Sequence, residues 1–293
     1  MKIKDLYDIK KTVISLEIFP PKIDSPVETV FKTLDELKDI KPDFISVTYG
    51  AGGKAKDRTI EIASKIKNDY KIESLAHLTC ISATKEEIKS NFIEMKAGNI
   101  ENILAMRGDL PENPDFEFPN PLQYEFAADL IKEVREEESF SIGAACYPEG
   151  HVECESKVKD IKYLKNKVEM GAEFLISQLF FDNEIFYRFM ESLDLAGIEV
   201  PVSAGIMPVL NKNQIIRMIK LAGCSIPPRF QRIIDRYEHN PAALKEAGEA
   251  YAIEQIIDLM AFGVRGIHLY TMNKPDTAKR IIGNIENIRR LQD

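Results

Sequence analysis

The sequence has no tryptophan, and only four cysteines and four histidines in 293 residues. Cys80, Cys146, Cys154 and Cys224 are widely spaced and form no CxxC pair, so neither a zinc site nor a disulfide framework is indicated, and reduced thiols are expected. Cys80 and Cys146 fall at the ends of predicted strands, where a small buried hydrophobe is the expected role. No Cys, His and carboxylate cluster stands at ligand spacing, so no metal is expected. The longest apolar stretches, such as residues 173–181, are strand-length and interrupted by polar residues, which excludes a helical membrane span. Met1-Lys2-Ile3-Lys4-Asp5 lacks the apolar core of a secretory signal, so a cytoplasmic location is expected. The net charge is -8, with Lys and Arg interleaved among Asp and Glu, and such a surface has no single-sign field for nucleic acid. No Gly/Ser linker, low-complexity tract or shift in composition marks a boundary. Residues 1–293 are therefore read as one domain, at a length that α/β barrels commonly reach.

What is present is a repeat of short β-rich runs, each followed by a turn and a longer amphipathic segment. Strands are predicted at 13–19, 44–49, 74–79, 102–106, 141–146, 174–180, 200–206 and 266–270. Helices are predicted at 27–40, 57–68, 85–96, 121–137, 156–170, 184–196, 213–221 and 276–290. Eight alternations point to a single (β/α)8 TIM barrel, with extra helices, 228–237 and 241–262, between strands seven and eight. The proline-rich segment 111–121 after the fourth strand is expected as a loop over the barrel mouth.

In such a barrel the active site lies at the C-terminal ends of the strands. Polar residues stand at or just beyond most of these ends: Glu17, Thr48, His77, Arg107 and Asp109, Tyr147 and His151, Gln178, and Tyr270. Glu17 sits in Ser15-Leu16-Glu17-Ile18-Phe19-Pro20-Pro21, a lone carboxyl in an apolar strand end that two prolines turn outward, which suits a general acid. The bland alternative is a carboxylate paired with a neighbouring base such as Lys22. Arg107 and Asp109 flank Gly108, which permits a sharp bend and close approach to a ligand, so the pair reads as cofactor recognition in preference to a surface ion pair. His239 and His268 read as structural. Gly50-Ala51-Gly52-Gly53-Lys54-Ala55 nominally matches the dinucleotide fingerprint. Eight βα units fit a barrel better than an open sheet, and the motif reads as a tight loop beside a ligand.

Taken in order, Glu17-Ile18-Phe19-Pro20-Pro21-Lys22, Ser46-Val47-Thr48-Tyr49-Gly50-Ala51-Gly52-Gly53, His77-Leu78-Thr79-Cys80 and Ala105-Met106-Arg107-Gly108-Asp109 resemble the signature blocks of methylenetetrahydrofolate reductases. Tyr147-Pro148-Glu149-Gly150-His151, Ser177-Gln178-Leu179-Phe180-Phe181-Asp182, Gly205-Ile206-Met207-Pro208 and Leu269-Tyr270-Thr271-Met272-Asn273 extend the resemblance along the chain. Each block alone is weak, and eight in one order are specific. The resemblance implies an FAD-dependent oxidoreductase of one-carbon metabolism and methionine biosynthesis. NADH or NADPH would reduce the flavin, and 5,10-methylenetetrahydrofolate would then be reduced to 5-methyltetrahydrofolate by a ping-pong relay.

It further implies Glu17 as the general acid and Asp109 as an anion near the folate cation and the flavin. FAD contacts are implied for Thr48, His77, Met106, Arg107, Gly108, Asp109, Ala145, Tyr147, His151, Asp160 and Lys167. Folate contacts are implied for Gln178, Gln214, Met218, Tyr270 and Lys274. The chain departs from the family pattern at Tyr163 and Asn166, where polar and basic residues are expected. It also departs at Met218, where relatives often carry phenylalanine, and at Lys274, where many carry arginine. The end near Asp293 implies that the regulatory C-terminal domain of the long form is lacking. A homo-oligomer is the general expectation. A second reading makes the chain the flavoprotein subunit of a complex fed by an iron–sulfur protein partner; a third, a flavin-free folate-binding barrel.

Overall fold

Strands of alternating parity explain both faces of the sheet in the computed structural model, which describes residues 1–22, 24–49, 56–110 and 116–291. Eight strands run β1 Val13–Ile18, β2 Phe44–Val47, β3 Glu73–Thr79, β4 Asn102–Met106, β5 Ser141–Cys146, β6 Phe174–Ser177, β7 Val202–Ile206 and β8 Gly266–Tyr270. All neighbours pair in parallel, and β8 closes on β1, giving the expected closed barrel in sequential order. One parity, including Ile14, Leu16, Ile45, Val47, Leu78, Ile103 and Leu269, packs outward against the helices in the main apolar shell. The other, including Val13, Phe44, Leu75, Leu104, Phe174 and Ile176, fills the barrel interior.

The helices are α1 Ile3–Ile9, α2 Glu28–Leu37, α3 Lys56–Asn68, α4 Lys85–Ala97, α5 Ala127–Glu136, α6 Lys157–Met170, α7 Asn183–Ala196, α8 Lys212–Ala222, α9 Pro228–Tyr237, α10 Pro241–Phe262, α11 Pro275–Asn284 and α12 Glu286–Arg290. Three corrections concern the elements. The helix expected from residue 121 begins at Ala127, because the Asp129 carboxylate accepts the backbone N–H groups of Glu125 and Phe126 and fixes the first turn there. The strands expected to reach residues 180 and 49 stop at Ser177 and Val47. The third is α1, which is not among the helices expected from the sequence. Its Ile3, Leu6 and Tyr7 close the N-terminal end of the barrel against Phe44, Leu75, Leu104 and Phe174. Tyr7 Oη lies 2.8 Å from Ser203 Oγ, and the Ile3 N–H donates to Asn102 Oδ1 at 2.7 Å. Each such buried side chain contributes roughly 2 kcal/mol.

The extra helices lie between β7 and β8 as expected. Asn240 caps α10 by accepting the Ala243 N–H at 3.2 Å, and Pro241 occupies its first turn. From α10, Tyr251 Oη donates to Phe181 O at 2.6 Å and Gln255 Nε2 to Phe180 O at 3.3 Å, while Phe230 of α9 stacks on Tyr251. The two helices thus brace the segment leaving β6. Among the described residues, no helix is long and apolar enough to cross a membrane, and no group of His, Cys, Asp and Glu is arranged to hold a metal ion. Cys80, Cys146 and Cys224 are buried free thiols, as expected for the first two. Residues 50–55, with the glycine-rich motif, and 111–115 of the proline-rich segment lie outside the described residues.

Candidate active site

Strand parity decides which predicted residues can meet. Glu17 is on the interior parity with Val13 of β1, His77 with Leu75 of β3, Met106 with Leu104 of β4, and Gln178 lies two residues beyond Ile176 of β6. The barrel therefore turns these residues toward its axis at the C-terminal end, whereas their immediate neighbours face the helices.

The centre is built on Glu17, which is 6% exposed. Its Oε2 lies 3.2 Å from His268 Nε2 and 3.5 Å from His77 Nε2. Each imidazole is backed by a serine: His77 Nε2 lies 2.5 Å from Ser46 Oγ, and His268 Nδ1 2.8 Å from Ser15 Oγ. Glu17 is thus held between two rings and is not paired with Lys22. His268, expected to be structural, is fully buried and meets both Ser15 and Glu17. Ser15 stands two residues before Glu17, and His268 two before Tyr270; the same parity that places the predicted residues inward would have found both.

Burial pushes the His77 imidazole down to about 4, against the opposing pull of the Glu17 charge, so His77 is neutral at pH 7. Unfolded, an ordinary histidine binds its proton near 6.5, so between 6.5 and about 4 the unfolded chain holds the extra proton. This contribution to stability is complete above about pH 6.5 and is lost as pH falls toward 4. The urea midpoint is expected to drop across that window, and less steeply in a His77→Gln variant. An identical slope in the variant would assign the loss to other groups.

A second group surrounds the turn after β5. Tyr147 packs edge-on against His151 at 4.6 Å between ring centroids, and the Lys167 ammonium lies over the Tyr147 ring and donates to Ala145 O at 3.0 Å. Burial lowers the pKa of Lys167 and of His151, raises that of Asp160, and pushes the Tyr147 phenol up to about 12. Arg107 pairs at 2.6 Å with Glu153, from the loop between β5 and α6. Gly108 adopts φ +85, and a Cβ there would meet the Thr79 Cβ at 2.8 Å, so glycine is required for the turn that follows Arg107. Asp109 is exposed beside this group, close enough for its charge to act on Arg107 and Tyr147.

A third group borders the apolar cluster of Leu179, Phe181, Met207 and Val209, against which Met218, Tyr270 and Met272 pack. Gln214, in the first turn of α8, accepts the Leu210 N–H through Oε1, while its buried Nε2 has no partner among the described residues. The Gln178 side chain accepts the Leu179 N–H. Thr48 extends the β1–β2 seam by donating its N–H to Ile18 O at 3.1 Å. Lys274 is exposed at the start of α11, Tyr163 is exposed on α6, and Asn166 is exposed on the same helix.

A closed βα barrel whose C-terminal mouth buries a carboxyl between two imidazoles has the organisation of an enzyme active site. The chain matches the family model described as methylenetetrahydrofolate reductase over residues 2–286, and it belongs to that family. It is 35% identical over 271 residues to 5,10-methylenetetrahydrofolate reductase of Pectobacterium carotovorum subsp. carotovorum, covering 92% of this chain and 88% of that protein. It is 34% identical to methylenetetrahydrofolate reductase (NADH) 1 of Arabidopsis thaliana over 97% of this chain; the matched region spans only 50% of the plant protein's length. An uncharacterized protein from Clostridium thermocellum that binds two copies of 5-methyl-5,6,7,8-tetrahydrofolic acid has a similar fold. Its TM-score is 0.66 at 14% identity, covering 99% of this chain and 100% of that one.

Proposed function

We propose that this chain reduces 5,10-methylenetetrahydrofolate to 5-methyltetrahydrofolate with FAD as cofactor and NADH or NADPH as electron donor, the donor and the folate occupying one site in turn. The observation that carries the reading is the placement of Glu17, a buried carboxyl at the barrel mouth between two imidazoles, in a chain that belongs to the methylenetetrahydrofolate reductase family.

The residues after β4 and β5 suit a dinucleotide with a diphosphate. Arg107 and Lys167 supply cations, Gly108 brings backbone close without a side chain, and Ala145, short and partly exposed at the end of β5, leaves room beside Tyr147. Thr48, His77, Met106, Asp109, His151 and Asp160 complete the FAD set. When bound, FAD supplies the acceptance and donation of hydride. Glu17 gives its proton to N10 of the folate as the five-membered ring opens, and the neutral His77 holds the carboxyl without competing for that proton. Asp109 supplies a negative charge toward the cation that forms on the folate. Gln178, Gln214, Met218, Tyr270 and Lys274 hold the folate.

The test is an anaerobic titration of the FAD-loaded protein with NADH and with NADPH, followed by methylenetetrahydrofolate. Bleaching of the flavin band and its return on addition of folate are expected. A protein that holds no flavin, or one whose flavin stays oxidised with both donors, would refute the proposed donor chemistry; in the second case a protein electron donor becomes the reading to test.

A further inference from the structure

We infer that Asn273 is a positioning residue for the acid: its side-chain amide clamps the end of the strand that carries Glu17, an inference that rests on the role proposed for Glu17. The β1–β8 ladder ends at the Glu17–Tyr270 pair. Beyond it the Thr271 N–H and hydroxyl both donate to Glu17 O, at 3.2 and 2.7 Å. The chain then leaves the sheet through Met272 and Asn273 at φ +52 and +53, a left-handed conformation that costs about 1 kcal/mol or more at each non-glycine residue.

That turn brings the Asn273 amide back onto β1. Its Oδ1 accepts the Phe19 N–H at 2.9 Å and its Nδ2 donates to Phe19 O at 2.8 Å, so the side chain takes the place that the next peptide of a strand would fill. Beyond Phe19 the strand has no N–H to continue the ladder, because the next two residues are Pro20 and Pro21. The Asn273 N–H also donates to Thr271 Oγ1 at 3.2 Å, tying the two contacts together. On the other flank Thr48 holds Ile18 O at 3.1 Å. The backbone from Glu17 to Phe19 is therefore fixed from both sides, and two left-handed residues are tolerated in order to fix it. The same turn delivers Lys274, whose N–H donates to Thr271 O at 2.9 Å, to the start of α11.

A proton donor misplaced by 1 Å loses about 100-fold in rate. In full-length FAD-loaded Asn273→Leu, flavin reduction by NADH is expected to stay within about two-fold of the wild type, while reoxidation by methylenetetrahydrofolate slows by about 100-fold, with kcat falling more than KM changes. Asn273→Asp, which keeps the acceptor and loses the donor, should fall between. If Asn273→Leu does not fold, Thr271→Val carries the test, with about a ten-fold loss confined to the folate half. Equal slowing of both halves, or an unchanged folate half in a folded variant, overturns the inference while leaving the proposed function standing. A wild type whose reduced flavin is not reoxidised by methylenetetrahydrofolate refutes the function, and the inference with it.

Discussion

Replacing Glu17 by Gln is expected to leave FAD binding and reduction by reduced nicotinamide near wild-type rates, and to slow reoxidation by methylenetetrahydrofolate by about 10²- to 10⁴-fold, the range for loss of a positioned general acid. The asymmetry comes from the geometry. Glutamine keeps the volume between His77 and His268 and can still bond to His268, so the barrel mouth is preserved. What is lost is the transferable proton, and only the folate half needs one. Stopped-flow rates for each half-reaction decide the matter. Equal losses in both would mean that Glu17 organises the site as a whole and is not its acid.

Replacing Gly205 by Ala is expected to cost about 1–3 kcal/mol of stability and to weaken folate turnover together. Interior-facing Gly205 of β7 leaves a gap through which the Tyr270 side chain reaches from β8 to donate to Ser177 O at 2.9 Å on β6. A Cβ at Gly205 would stand 2.2 Å from that carbonyl oxygen and 2.9 Å from the Tyr270 ring. The seam is already the thinnest in the barrel: β6 and β7 share only the pairs Leu175–Val202 and Ile176–Ser203. Above them the Gly205 N–H donates to Ser177 Oγ at 2.9 Å, in place of a regular ladder bond. Urea unfolding reads the first effect and steady-state kinetics the second. An unchanged midpoint would show that β7 shifts outward without cost.

The barrel was legible because each βα unit carries its own period, and interior parity is fixed once a strand is placed. Glu17, His77 and Tyr270 were found by standing at strand ends, and the structure brings them to one mouth. His268 reads as structural and Ser15 stands out in no pattern for the opposite reason: they lie one step deeper, inside strands, where a polar residue looks like a satisfied core group until its partner on the adjacent strand is known. Asn273 was visible only as part of a motif, since its role depends on a turn that sequence spacing does not reveal. Arg107 was assigned to ligand recognition, and its Glu153 partner comes from a loop 46 residues away. The helix boundary at Ala127 depended on one side chain, Asp129, chosen from a run rich in acids. Ile3, Leu6 and Tyr7 of α1 do follow a helical spacing, but over too few residues to stand out without the floor they cover.

That floor bears on how the molecule is made. The contacts that hold α1 come from β1 through β7 and, furthest along the chain, from Arg265 just before β8, which donates to Tyr7 O. Residues 3–9 leave the ribosome long before Ser203 does, so during synthesis this short amphipathic segment has nowhere to seat. It must wait, its apolar stripe in water or shielded by a chaperone, until more than two hundred residues have been translated. Protection of its amides should therefore appear late in refolding, together with closure of the ring.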